Sequence, residues 1–75
     1  MNKVKSKIRQ FACEILGVRR VSMRKSLRKV GLESLSFAEL LARTEDEFET
    51  ELSIGEIEKF KNLHALVIYV QEKVG

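Results

Sequence analysis

The chain has 75 residues and a mass of 8.6 kDa, the length of one small domain with a core worth about 3–5 kcal/mol. Hydrophobic residues at 44% and charged residues at 33% exclude both a disordered polymer and a membrane-spanning bundle. The net charge of +3 hides a division: residues 1–30 hold ten Lys/Arg against Glu14, residues 31–58 hold nine Asp/Glu against Arg43, and residues 59–75 return to a net +2.

The first predicted element is a helix over residues 3–16. Val4, Ile8, Phe11, Ala12, Ile15 and Leu16 recur at helical spacing and form one apolar stripe. Asn2 is placed to cap its start, and Gly17 to stop it. Residues 17–33 follow as a long connector, GVRRVSMRKSLRKVGLE. Val18, Val21, Leu27, Val30 and Leu32 are expected to pin it to a core, with its bases outward. A connector of this length inside a small domain is uncommon and usually functional.

The segment SLSFAELLARTEDEFE is the strongest helix signal. Ser36 and Glu39 fit an S-x-x-E capping box. Phe37, Leu40, Leu41 and Phe48 share a face, with Thr44 as a polar member of that stripe. Glu45, Asp46 and Glu47 are expected on the outer side. Acids there oppose the helix dipole, which points to a role other than helix stability. A second S-x-x-E, Ser53 to Glu56, predicts a short helix near 54–59. Asn62 then caps a last helix carrying Leu63, Leu66, Val67 and Val70, with Ile68 outward. No segment reads as a strand. The expected fold is all-α: a small four-helix bundle occupying residues 1–75 as one domain.

Several function classes fall away on residue content. One cysteine, Cys13, makes no internal disulfide, and one histidine, His64, leaves no four-ligand zinc site without carboxylates. No catalytic set and no metal site are expected, so the chain does not read as an enzyme. No apolar run spans a bilayer, and no apolar stretch after the basic N-terminus reads as a signal peptide. The expected location is the cytoplasm and the expected state a monomer. The basic 19–29 segment has the charge to meet phosphates, but no aromatic residue for base stacking, so nucleic acid is disfavoured. Transient contact with an anionic membrane surface is a minor alternative.

Leu27 through Leu41 reads LRKVGLESLSFAELL. It resembles the pattern L-x-x-L-G-x-D-S-L-x-x-x-E-L of acyl carrier proteins and their relatives in polyketide and non-ribosomal peptide synthesis. Glu45-Asp46-Glu47-Phe48 resembles that family's second-helix ending. Leu52-Ser53-Ile54 resembles the lead into its short third helix, and Phe60 to Val70 its last helix. The resemblance covers nearly the whole chain. It implies three main helices, a short third helix and a long first loop. It also implies 4′-phosphopantetheine, taken from coenzyme A and attached to Ser34 by a phosphopantetheinyl transferase, with Glu33 and Leu35 flanking the attachment site.

The implied function is to hold an acyl intermediate as a thioester and deliver it to acyl-transferring or condensing enzymes of fatty-acid, lipid or polyketide type. Two alternatives stand beside it: an aminoacyl or peptidyl carrier using the same arm, and an unmodified helical interaction module that kept the fold. The acidic residues Glu39, Glu45, Asp46, Glu47 and Glu49 are expected to face partner enzymes. Departures from the pattern mark a divergent or specialised member. Glu33 stands where the family has aspartate, Ala38 where it has valine, and Thr44 where it is apolar. The stretch before the serine, normally acidic, here carries Arg24, Lys25, Arg28 and Lys29, with Arg19 and Arg20 upstream. These bases are expected to select a partner of unusual, acidic surface.

Overall fold

The computed structural model describes residues 3–52 and 60–74. Four helices and no strand occur among them: α1 (Lys3–Leu16), α2 (Leu27–Val30), α3 (Ser34–Phe48) and α4 (Leu63–Val74). The expected Asn2 cap and the expected helix near 54–59 lie outside the described residues.

The apolar stripes meet as the periodicity requires. Val4, Ile8 and Ala12 of α1 are buried against Phe37, Leu40 and Leu41 of α3 and against Leu63, Leu66, Val67 and Val70 of α4. Leu32 and Leu52, on the segments flanking α3, close the same core. Each fully buried aliphatic side chain contributes about 1.5–3 kcal/mol of transfer free energy, which offsets the ordering cost of a chain this short.

Thr44 is 0% exposed. Its Oγ1 donates to the Leu40 carbonyl one turn back, at 2.8 Å, so the hydroxyl enters the core already satisfied. A polar residue in the apolar stripe therefore costs little here, because burial of a hydroxyl is expensive only when its hydrogen bond is unmade.

The connector is more ordered than its sequence implies. Gly17 takes a left-handed conformation (φ 69°) and the Val18 N–H returns to the Cys13 carbonyl at 3.0 Å, ending α1 as expected. The connector then contains α2, a helix of four residues that was expected to be loop. Ser26 Oγ caps it by accepting from the Lys29 N–H at 3.3 Å. Gly31 ends it at φ 101°, a backbone region that side chains rarely adopt. Val21, Met23, Leu27 and Val30 pack against the core, whereas Val18, expected to do so, is exposed.

Three hydrogen bonds fasten the connector to the start of α4. The Leu27 N–H donates to the Lys61 carbonyl (3.1 Å) and the His64 N–H to the Met23 carbonyl (2.9 Å). Asn62 serves both segments: its Oδ1 accepts from the Ala65 N–H at 2.9 Å, and its Nδ2 donates to the Arg24 carbonyl at 3.1 Å. Asn62→Ala removes a helix cap and a tie between segments together. It is expected to lower stability by about 1–2 kcal/mol, read as a lower midpoint in urea with an unchanged slope.

The predicted Ser36–Glu39 capping box does not form. Helix α3 begins at Ser34, the first residue of the segment read as helical, with Glu33, three residues before Ser36, as its N-cap in an extended conformation. Ser36 is the third helical residue, and its Oγ reaches back to accept from the Glu33 N–H at 2.9 Å. Glu39 instead pairs along the helix with Arg43 at 2.9 Å, and Arg43 also bridges to Glu14 of α1 at 2.9 Å.

Lys7 of α1 pairs with Glu47 of the acidic helix α3 at 3.8 Å. The bases of residues 19–29 pair with no acid among the described residues and point outward.

Candidate functional site

Ser34 is the first residue of α3 and is exposed. Its placement follows from its neighbours. Gly31 turns the chain sharply after α2, and Leu32 buries itself in the core. Glu33 then takes the extended geometry of an N-cap. The hydroxyl is thus presented at the start of a 15-residue helix, where the first backbone N–H groups have no partner within the helix and the dipole favours negative charge.

A groove of about 610 Å³ opens beside it, lined by Leu27, Arg28, Leu32, Glu33, Ser34, Phe37 and Phe60. Its walls are the buried or half-buried Leu27, Leu32, Phe37 and Phe60, and its charged rim is Arg28 and Glu33. Phe60 is steadied by Tyr69 of α4, whose ring centroid lies 5.2 Å away; such ring pairs add about 0.5–1.5 kcal/mol beyond their burial. Leu35, next to Ser34, is 87% exposed. This leaves a large apolar side chain in solvent directly beside the hydroxyl-bearing residue.

The residues expected to meet partners fall into three groups. Arg24, Lys25, Arg28 and Lys29 are exposed, as are Arg19 and Arg20. Glu39, Asp46, Glu47 and Glu49 are exposed on α3 and its C-cap, with Glu39 engaged by Arg43 and Glu47 by Lys7. Glu45 is a correction: it is half-buried, and its Oε2 accepts from the Leu52 N–H at 2.6 Å. It fastens the chain leaving α3, so an acid near a helix C-terminus has here a structural use that the dipole argument missed. No group of carboxylates, histidines or cysteines suited to a metal ion occurs among the described residues. No helix among them is long and apolar enough to cross a membrane.

A small helical bundle that presents a serine hydroxyl at a helix start, beside a half-apolar groove, has the form of a carrier for a tethered group. A family model, the phosphopantetheine attachment site, matches residues 6–70. The chain belongs to this family, and the match agrees with its resemblance to acyl carrier proteins. The cofactor of the family is 4′-phosphopantetheine, held covalently. The protein is accordingly a phosphopantetheine carrier; domains of this kind generally hold their cargo rather than transform it, and work with phosphopantetheinyl transferases and acyl-handling enzymes.

The residues present fit such a group. A reachable hydroxyl, unpartnered N–H groups at the first turn and a groove with apolar walls suit a chain that begins as a phosphodiester and continues as a slender amide arm.

Proposed function

We propose that Ser34 is the residue that bears the arm, and that the cargo is an acyl intermediate for enzymes of fatty-acid, lipid or polyketide type. The carrying observation is the position of Ser34: exposed, first in α3, and on the wall of the groove. In the loading step Ser34 Oγ forms one ester bond to phosphorus as the bond from that phosphorus to the nucleotide part of coenzyme A breaks. The hydroxyl proton leaves to a base of the transferase, and nothing is oxidised or reduced. When bound, the arm supplies a thiol that holds a carboxylic unit as a thioester.

The chain's own residues then act by position. Glu33 sets an acid next to the site of transfer, where the family's acid helps a transferase hold its metal ion. Leu35, with Asp46 and Glu49 further along α3, offers a mixed apolar and acidic surface to enzymes that handle the cargo. The bases Arg24, Lys25, Arg28 and Lys29 are exposed on the connector that leads to Ser34, and Arg28 lines the same groove, so an enzyme that covers Ser34 and this connector meets both signs of charge. Electrostatic complementarity of this kind governs encounter rate and partner choice more than final affinity. Such an enzyme is expected to carry an acidic rim opposite residues 24–29.

The cargo is read by isolating the protein from cells that express a transferase and treating it with neutral hydroxylamine, which cleaves thioesters. Release of a carboxylic acyl unit supports this reading. Release of an amino acid or peptide assigns the aminoacyl alternative, and a protein carrying no arm assigns the unmodified module.

A further inference from the structure

Arg28 is unlike the other bases of its segment in one respect: it lines the groove that Ser34 lines, and Arg24, Lys25 and Lys29 do not. It is exposed, and its side chain makes no ion pair or hydrogen bond among the described residues. The other charged residue on that groove, Glu33, is the N-cap of α3 and immediately precedes Ser34 in the chain.

We infer that Arg28 is the counter-ion of the phosphodiester on Ser34 and holds the arm along the groove when no partner is bound. This inference rests on Ser34 as the point of attachment. A phosphate esterified to Ser34 Oγ carries a permanent negative charge that diffuses no further than its own bond allows. The pairing is therefore intramolecular, and the effective concentration of one group about the other is high. A guanidinium presents planar paired donors that match phosphate oxygens, which an ammonium does not. Glu33 repels the same phosphate, so the two rim charges act in the same sense, away from the N-cap and toward α2. Past the phosphate, the arm meets Leu27 and Phe60, the apolar side of the groove. A partner that brings carboxylates to residues 24–29 competes for Arg28, and the same contact that docks the partner frees the arm.

The test uses the arm-bearing protein, first confirmed by intact mass, and follows the phosphorus resonance of the diester. Raising ionic strength from about 0.1 M to about 1 M shortens the screening length from about 10 Å to about 3 Å. In the wild type the resonance is expected to move toward its position in the urea-unfolded protein. In Arg28→Gln it should sit near that position at every salt concentration, with the circular dichroism unchanged. Arg28→Lys keeps the charge and should retain part of the salt-dependent displacement. Lys29→Gln removes an equal charge one residue further on and should behave as the wild type.

A resonance unaffected by Arg28→Gln, or displaced as far by Lys29→Gln, overturns the pairing and leaves the carrier reading standing. A protein whose mass gains no arm overturns both.

Discussion

The Ser34→Ala variant is expected to fold normally and to gain no phosphopantetheinyl group from any transferase that loads the wild type. The two halves of this expectation have separate grounds. Stability is preserved because the Ser34 hydroxyl is exposed and makes no hydrogen bond among the described residues. It is also the first helical residue rather than the cap, which is Glu33. Exposed substitutions outside special positions change stability by about 0.5 kcal/mol or less. Loading is lost entirely because the oxygen that would form the ester is gone. Intact mass and circular dichroism read the two halves on one sample. A loaded alanine variant would move the attachment to another hydroxyl.

The largest expected effect on stability belongs to the core. Leu40 is 0% exposed and lies on α3, which packs against α1, in the core that α1, α3 and α4 share. Leu40→Ala removes buried methyl groups and leaves a cavity, at a cost of about 2–5 kcal/mol. A domain of this size has a margin of only about 3–5 kcal/mol from its core, so the variant is expected to be largely unfolded at 37 °C. Leu40 also supplies the carbonyl that accepts from the Thr44 hydroxyl; that side-chain-to-backbone bond survives the substitution only if the helix does. A thermal melt followed at 222 nm checks the outcome. A melting temperature within a few degrees of the wild type would mean that the three helices do not share the core described here.

The long elements were open to sequence reasoning because their signal is periodic. Val4, Ile8 and Ala12 gave α1 its limits, and Leu63, Leu66, Val67 and Val70 gave α4 its buried face. Helix α2 escaped because four residues are too few to show a period; its signals were Ser26 before it and Gly31 after it, read only as parts of a loop. The cap of α3 was misplaced at Ser36, although the helical segment itself begins at Ser34 as read, because Ser36 with Glu39 imitates a capping box. Glu33 is the cap, and Ser36 supports it from the third position.

The site divides in the same way. Ser34, Glu33 and Leu35 were singled out through a local motif, which a sequence displays. The groove was not visible, since it needs Phe60 to return beside Leu27 and Phe37, and that meeting is a property of the packed chain. Glu45 looked like a docking acid because its partner is the Leu52 amide seven residues away, and backbone amides carry no sequence signature. Arg28 stood in the sequence as one of six similar bases; only the geometry of the groove separates it from its neighbours.

Locating the modification by fragment-ion mass spectrometry of the arm-bearing protein tests the central claim most directly. The account predicts that every modified peptide carries the phosphopantetheinyl group on Ser34. Finding it on another serine, such as Ser26 or Ser36, would contradict the account.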